Sequence, residues 1–205
     1  MSRTALITGS AGFIGYFTAQ ALLAHGWQVV GLDAMTDYYD VSLKQKRRAM
    51  LRQSPGYDDI EARLETPDVL KNLFEQHRFD IVIHLAAQAG VRHSIDAPRS
   101  YVQANLIGTF ELLEAARACP PSHMLLASTS SALWGEPRDA LWRNRQIRSS
   151  DVILCRHKKG EREHGTQLCA SVPAAHYDVS FLYCLWALGQ AGHGSFQIHQ
   201  SHPER

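Results

Sequence analysis

The residues best suited to chemistry stand in the first turn of the chain. Gly9-Ser10-Ala11-Gly12-Phe13-Ile14-Gly15 follows the apolar, β-branched run Thr4 to Thr8 and leads into a helical pattern through Phe17, Ala21, Leu22 and Ala24. Such a strand, glycine turn and helix lets backbone approach a pyrophosphate closely. The free N–H groups and the dipole at the helix start then attract its charge. A second strand over Gln28 to Leu32 ends at Asp33, whose carboxylate can accept hydrogen bonds from a ribose diol. The glycine spacing is G-x-x-G-x-x-G rather than G-x-G-x-x-G. The glycines alone are a weak signal, but a strand before, a helix after and an acid following point to a dinucleotide.

The elements that must position these residues alternate. Val41 to Arg52 reads as a basic helix, Ile60 to Leu64 as a short strand, Pro67 to His77 as a helix with proline in its first turn, and Ile81 to Leu85 as a buried strand. Pro98 to Cys119 reads as one long helix ending before Pro120-Pro121, and Met124 to Ala127 as the next strand, running into Ser128-Thr129-Ser130-Ser131. The fold class expected is α/β: a Rossmann-like, doubly wound parallel sheet, whose ligands lie beyond the carboxyl ends of the strands. Asp33, Ala86-Ala87-Gln88 and the Ser/Thr run all fall at such ends.

Bulk properties fit one domain. The chain has 205 residues, 45% of them hydrophobic, with Lys+Arg 21 against Asp+Glu 20, so no cationic footprint points to nucleic acid or a membrane surface. No signal peptide and no bilayer-length apolar run are read, and a cytoplasmic location is expected. Of the four cysteines only Cys119 precedes residue 133, so no disulfide framework is implied.

TGSAGFIG, DYYDVSLKQKR, HLAAQAGVRHS, YVQANLIGT and LLASTSS together resemble the extended short-chain dehydrogenase/reductases, NAD-dependent epimerases and dehydratases. Within that family the resemblance is to UDP-glucuronate 4-epimerases, and it covers residues 2–132. It implies NAD as cofactor, with Gly9, Gly12, Phe13, Ile14 and Gly15 at the pyrophosphate, Asp33 at the adenosine ribose and Leu64 near the adenine. Leu85, Ala86, Ala87 and Gln88 would lead toward the nicotinamide, with Asn105 beneath it. Arg92 would face a UDP-sugar, Thr129 would bind its 4-hydroxyl as a catalytic group, and Ser130 and Ser131 its carboxylate. Arg92 also reads as a plain surface charge, and the serines as partners of strand-end amides. Two positions depart from the family: Ala34 stands where an Asn often follows the ribose acid, and Arg63 where an Asp often precedes the leucine. His84 and His93 read as structural. An intact copy could be a homodimer.

The implied chemistry is isomerisation, UDP-glucuronate to UDP-galacturonate by transient oxidation at carbon 4. It needs a Tyr with a Lys one helical turn on to take the hydroxyl proton. That Y-x-x-x-K is absent: Tyr177 and Tyr183, the tyrosines after Tyr101, have no Lys four residues later.

The grammar stops at Leu133. Three of the four Trp, three of the four Cys and six of the eleven His lie beyond Ala132, in a stretch without strand or helix periodicity. The expected division is therefore 1–132, a truncated NAD-binding domain, and 133–205, a segment without native fold. Back-translated from Leu133 and read from the second base of each codon, the message can spell a continuous epimerase sequence, with YAATK in place and VYGPW where Trp186 forces a glycine. A one-base insertion near the codons for Ala132 and Leu133 accounts for both readings. Cys155, His157, His164 and Cys169 could otherwise be read as zinc ligands, but in a shifted frame they are accidental, and no metal is expected. Without the tyrosine, the lysine and the substrate domain, the literal chain is expected to be inactive. Two alternatives remain at this stage, a non-catalytic NAD-binding module and a nucleotide-sugar dehydratase or decarboxylase of the same superfamily.

Overall fold

The computed structural model describes residues 2–127 and the backbone of 176–178. Strands and helices alternate: β1 (Thr4–Thr8), α1 (Phe13–Ala24), β2 (Gln28–Asp33), α2 (Val41–Leu51), β3 (Tyr57–Glu61), α3 (Val69–Gln76) and β4 (Ile81–His84). Then come α4 (Val91–Asp96), α5 (Pro98–Tyr101), a π-helical turn (Val102–Ile107), α6 (Gly108–Ala118), β5 (His123–Leu126) and β6 (His176–Asp178). All described strand pairs are parallel, in the order β3-β2-β1-β4-β5-β6.

Chain order reverses at β1. From there the chain winds outward to β2 and β3, then crosses back to β4 and β5, so the ends of β1 and β4 flank the crevice where such sheets bind ligands. Thr8 is in register with Leu32 on one side and His84 on the other. The central strands are apolar on both faces because helices cover both. One core cluster joins Leu6, Val30, Val82 and Met124 to Leu73, Phe74 and Leu112 of α3 and α6. The other joins Ala5, Ile7, Val29 and Ile83 to Tyr16, Ala19, Leu22 and Leu51 of α1 and α2.

Local chemistry sets the boundaries. Helix α1 ends where Gly26 adopts φ +76°, with its N–H on the Leu23 carbonyl at 3.0 Å and that of Trp27 on Leu22 at 3.1 Å. Helix α2 starts at Asp40, whose carboxylate accepts from Ser42 N at 2.8 Å. On its other flank, Arg48 reaches Asp59 at 2.6 Å and Glu61, fastening α2 to the β3 edge.

Three differences from the sequence reading stand out. The third strand lies at 57–61 rather than 60–64, because Tyr57 packs beneath Gly31, where an added Cβ would lie 2.0 Å from the Tyr57 hydroxyl. The single helix read over 98–119 is interrupted by the π-helical turn. A three-residue strand at 176–178, unforeseen in a segment read as lacking periodicity, pairs with β5, with His123 opposite His176. Backbone hydrogen bonds at a sheet edge need no side-chain pattern, so periodicity could not announce it. Among the described residues no helix is long and apolar enough to cross a membrane.

Candidate cofactor site

Three segments converge at the crevice: the turn after β1, the acid closing β2 and the loop after β4. Gly9 has φ +74°, and a Cβ there would lie 2.9 Å from Ala86 N, so only glycine lets the two loops touch. A Cβ on Gly15 would stand 2.1 Å from the Gly9 carbonyl oxygen, so its absence lets α1 press down on the turn. Gly12 is the N-cap of α1 and no side chain caps that helix. The first-turn N–H groups of Phe13, Ile14 and Gly15 therefore have no intrahelical acceptor, the donor set that an anionic phosphate requires. Phe13 and Ile14 are exposed beside it.

Asp33 ties the turn to the second strand. One carboxylate oxygen accepts from Ala11 N at 3.1 Å, the other from Met35 N at 2.8 Å, and Lys44 Nζ lies 3.6 Å away. The carboxylate is nearly buried and held in one orientation, as a ribose acceptor must be. Beneath it Tyr57 donates to Ser10 Oγ at 3.1 Å; burial pushes its hydroxyl up to about 12, which keeps it a donor.

The β4 loop hangs from a buried polar chain. Thr8 Oγ1 accepts from Leu85 N and Ala86 N, each at 3.2 Å, and lies 2.8 Å from His84 Nδ1. With two donors already on its oxygen, the Thr8 hydroxyl gives its proton to Nδ1. His84 is then the neutral Nε2–H tautomer, donating to Thr109 Oγ1 at 3.1 Å. Further along, Gln88 N donates to Asn105 Oδ1 at 2.7 Å and Asn105 Nδ2 donates to the Gln88 carbonyl at 3.1 Å. Asn105 is fully buried on the π-helical turn, an irregularity frequent at functional sites. Tyr101 closes the loop by donating to the carbonyls of Ala89, at 2.6 Å, and Gly90.

The glycines, Phe13, Ile14, Asp33, Leu85, Ala86, Ala87, Gln88 and Asn105 thus gather around one crevice. Leu64 lies in the core against Gly108, and Arg92 stands exposed at the start of α4. Thr129, Ser130, Ser131 and the Cys155, His157, His164 and Cys169 set lie outside the described residues. Among those described, no group of three or more His, Cys, Asp or Glu could hold a metal ion. Sequence reasoning passed over Thr8, Tyr57, Lys44 and Tyr101. Of these only Thr8, a hydroxyl directly before a glycine turn, carried a readable signal.

A family model described as GDP-mannose 4,6-dehydratase matches residues 6–146. The chain belongs to that family. Membership bears out the extended short-chain dehydrogenase/reductase resemblance. The chain is 51% identical over 126 residues to "Probable UDP-glucuronate 4-epimerase" of Rhizobium meliloti (strain 1021), covering 62% of this chain and 37% of that protein. It is 42% identical over 132 residues to UDP-glucuronate 4-epimerase 4 of Arabidopsis thaliana, covering 64% of this chain and 30% of the relative. Among solved structures it resembles the UDP-glucuronic acid 4-epimerase of Bacillus cereus in complex with UDP-glucuronic acid and NAD, with TM-score 0.75 and 28% identity over 85% of this chain and 55% of that one. The chain thus spans about a third of the curated relatives it matches, 30% to 37% of their length, and about half of the solved one.

Proposed function

We propose that residues 2–127 form the NAD site of a UDP-glucuronate 4-epimerase, and that the chain as written does not turn over. The observation that carries the cofactor reading is the contact of Gly9 with Ala86, which brings an uncapped helix start, a fixed carboxylate and the β4 loop to one crevice. NAD, when bound, would supply a hydride acceptor for carbon 4 of the sugar. The chain's own part is binding and orientation: first-turn N–H groups on the pyrophosphate, Asp33 on the ribose diol, and a β4 loop held still by Thr8, Asn105 and Tyr101. Arg92, Thr129, Ser130 and Ser131 are the proposed contacts to the UDP-sugar.

The absence of turnover rests on the missing Y-x-x-x-K. A proposed one-base insertion near the codons for Ala132 and Leu133 explains it. Curated relatives match 126 and 132 residues, about the span that precedes the break, although the family model continues to residue 146. The test has two arms. Calorimetry on the 205-residue chain is expected to show NAD binding with no conversion of UDP-glucuronate to UDP-galacturonate. Removing one base at that point in the gene is expected to give a chain that converts it. Turnover by the 205-residue chain, or none by the reframed one, overturns the proposal. NAD binding without turnover in either would favour the non-catalytic module.

Assembly as a homodimer and a cytoplasmic location belong to the same proposal. The exposed Val102, Leu106, Ile107 and Phe110 on one stretch of helix support the first, which sedimentation of the reframed protein would test. Cell fractionation would test the second.

A further inference from the structure

The loops that leave β2 and β4 stand on either side of the glycine turn, because those two strands flank β1. Their tips touch. The Tyr38 ring packs against the His93 ring, with centres 4.8 Å apart, and the Tyr38 hydroxyl lies so close over Gly90 that a Cβ there would come within 2.2 Å of it. Only glycine admits that contact, and the φ of +100° at Gly90 favours glycine again. A bridge of side chains thus spans the end of β1, in front of the turn proposed to hold the pyrophosphate.

The two ends of the bridge are built differently. On the β4 side the post is fixed: Tyr101 donates to the carbonyls of Ala89 at 2.6 Å and Gly90 at 2.5 Å, and its ring centre lies 6.0 Å from that of His93. On the β2 side the arm is light. Asp37 and Tyr39 are exposed, and the Tyr39 ring rests edge-on against Tyr38 at 4.6 Å. The arm leaves Asp33 through Met35 at φ +50°, a left-handed conformation that is unfavourable for any residue with a side chain.

We propose that Tyr38 is a strap over the crevice, which must swing off Gly90 and His93 before a dinucleotide can enter or leave, and which sets the rate of cofactor exchange rather than the affinity. Opening gives up one ring pair and frees Met35 from its strain. Because the contacts of the strap are all within the protein, closure is favoured equally with and without a bound dinucleotide. Weakening it therefore speeds entry and exit by the same factor. The inference rests on the cofactor reading above and adds a gate to it.

Stopped-flow fluorescence of NADH mixed with the 205-residue chain gives the association rate constant, and a chase with excess NAD+ gives the release rate constant. A ring pair is worth about two- to tenfold in the ratio of closed to open. Tyr38→Ala and His93→Ala are each expected to raise both rate constants by about two- to tenfold, with Kd staying within about twofold of the parent. Tyr38→Phe keeps the ring and is expected to stay near the parent. The double variant Tyr38→Ala/His93→Ala is expected to be no faster than the faster single one, since both remove the same contact. The two residues lie on different elements, so if one variant does not fold the other still reads the strap. Unchanged rates, additive effects in the double variant, or a rise in release alone with Kd weakened in step, as a ring touching the dinucleotide would give, overturn the strap and leave the NAD reading intact. Failure of the parent chain to bind NADH overturns the NAD reading and the strap together.

Discussion

Replacing Thr8 with valine keeps the shape of a fully buried side chain and removes one oxygen. That oxygen accepts from Leu85 N and Ala86 N, each at 3.2 Å, and its proton goes to His84 Nδ1 at 2.8 Å. The Leu85 N–H keeps an alternative, since it also reaches the Thr8 carbonyl at 3.2 Å, whereas the Ala86 N–H is left with none of the contacts described. Burying an N–H without a partner costs about 1–3 kcal/mol, and the lost donor to His84 about 1 more, so the variant is expected to lose roughly 2–4 kcal/mol. Native stabilities are about 5–15 kcal/mol, so this is a large share. With a urea slope of about 2 kcal/mol/M, the midpoint of the far-ultraviolet circular dichroism transition falls by about 1–2 M. NAD affinity drops as well, because Ala86 sits against Gly9. Thr18→Val is the control: its exposed hydroxyl only bonds the Ile14 carbonyl on the same helix, and the change is expected to stay within about 0.5 kcal/mol. A Thr8→Val midpoint indistinguishable from the parent would refute the claim that the hydroxyl holds the loop.

Other outcomes follow from the same geometry. Burial holds the Tyr57 hydroxyl up at about 12 against an ordinary 10.0. Folding therefore favours its protonated form, a stabilisation intact below pH 10 and lost as pH rises toward 12. Titration at 295 nm should show one phenol ionising late, and Tyr57→Phe should remove it and flatten the decline in stability over that window. Gly15→Ala is expected to abolish NAD binding in calorimetry, because its Cβ would stand 2.1 Å from the Gly9 oxygen. Gly26→Ala meets nothing within 4 Å and should cost only the roughly 1 kcal/mol of a left-handed alanine, with cofactor affinity kept. Asn105→Leu removes both partners of the Gln88 backbone and is expected to cost about 2 kcal/mol in a urea titration.

Much of this architecture was readable because its cues are local. The apolar runs at 4–8, 28–32 and 81–85 could only be strands buried on both faces, and Gly9 with Asp33 placed the crevice at their ends. What stayed hidden depends on distant partners. Tyr57 begins a strand because Gly31, 26 positions earlier, leaves room for its ring, and no window around residue 57 contains that fact. The π-helical turn is similarly silent, since Val102 to Ile107 carries the same apolar spacing as an α-helix and only the demand of Asn105 on Gln88 distinguishes it. Lys44 looked like one of several cations on a basic helix. Its meaning comes from Asp33, reached by folding rather than by spacing.

The pairing of β1 with β4 also sets a schedule. Thr8 and Ala86 are joined across 78 positions, and closing a loop of that length costs about 4 kcal/mol of chain entropy before any contact repays it. Because β1 leaves the ribosome first, it must wait, apolar and unpaired on one side, until residues 81–86 and the helices that cover them have been made. The crevice is thus among the last features to take shape during synthesis. A dinucleotide that binds only the closed form would capture that late step and stabilise the whole sheet in proportion to its concentration, acting as a folding ligand for the nascent chain whether or not any sugar is ever turned over.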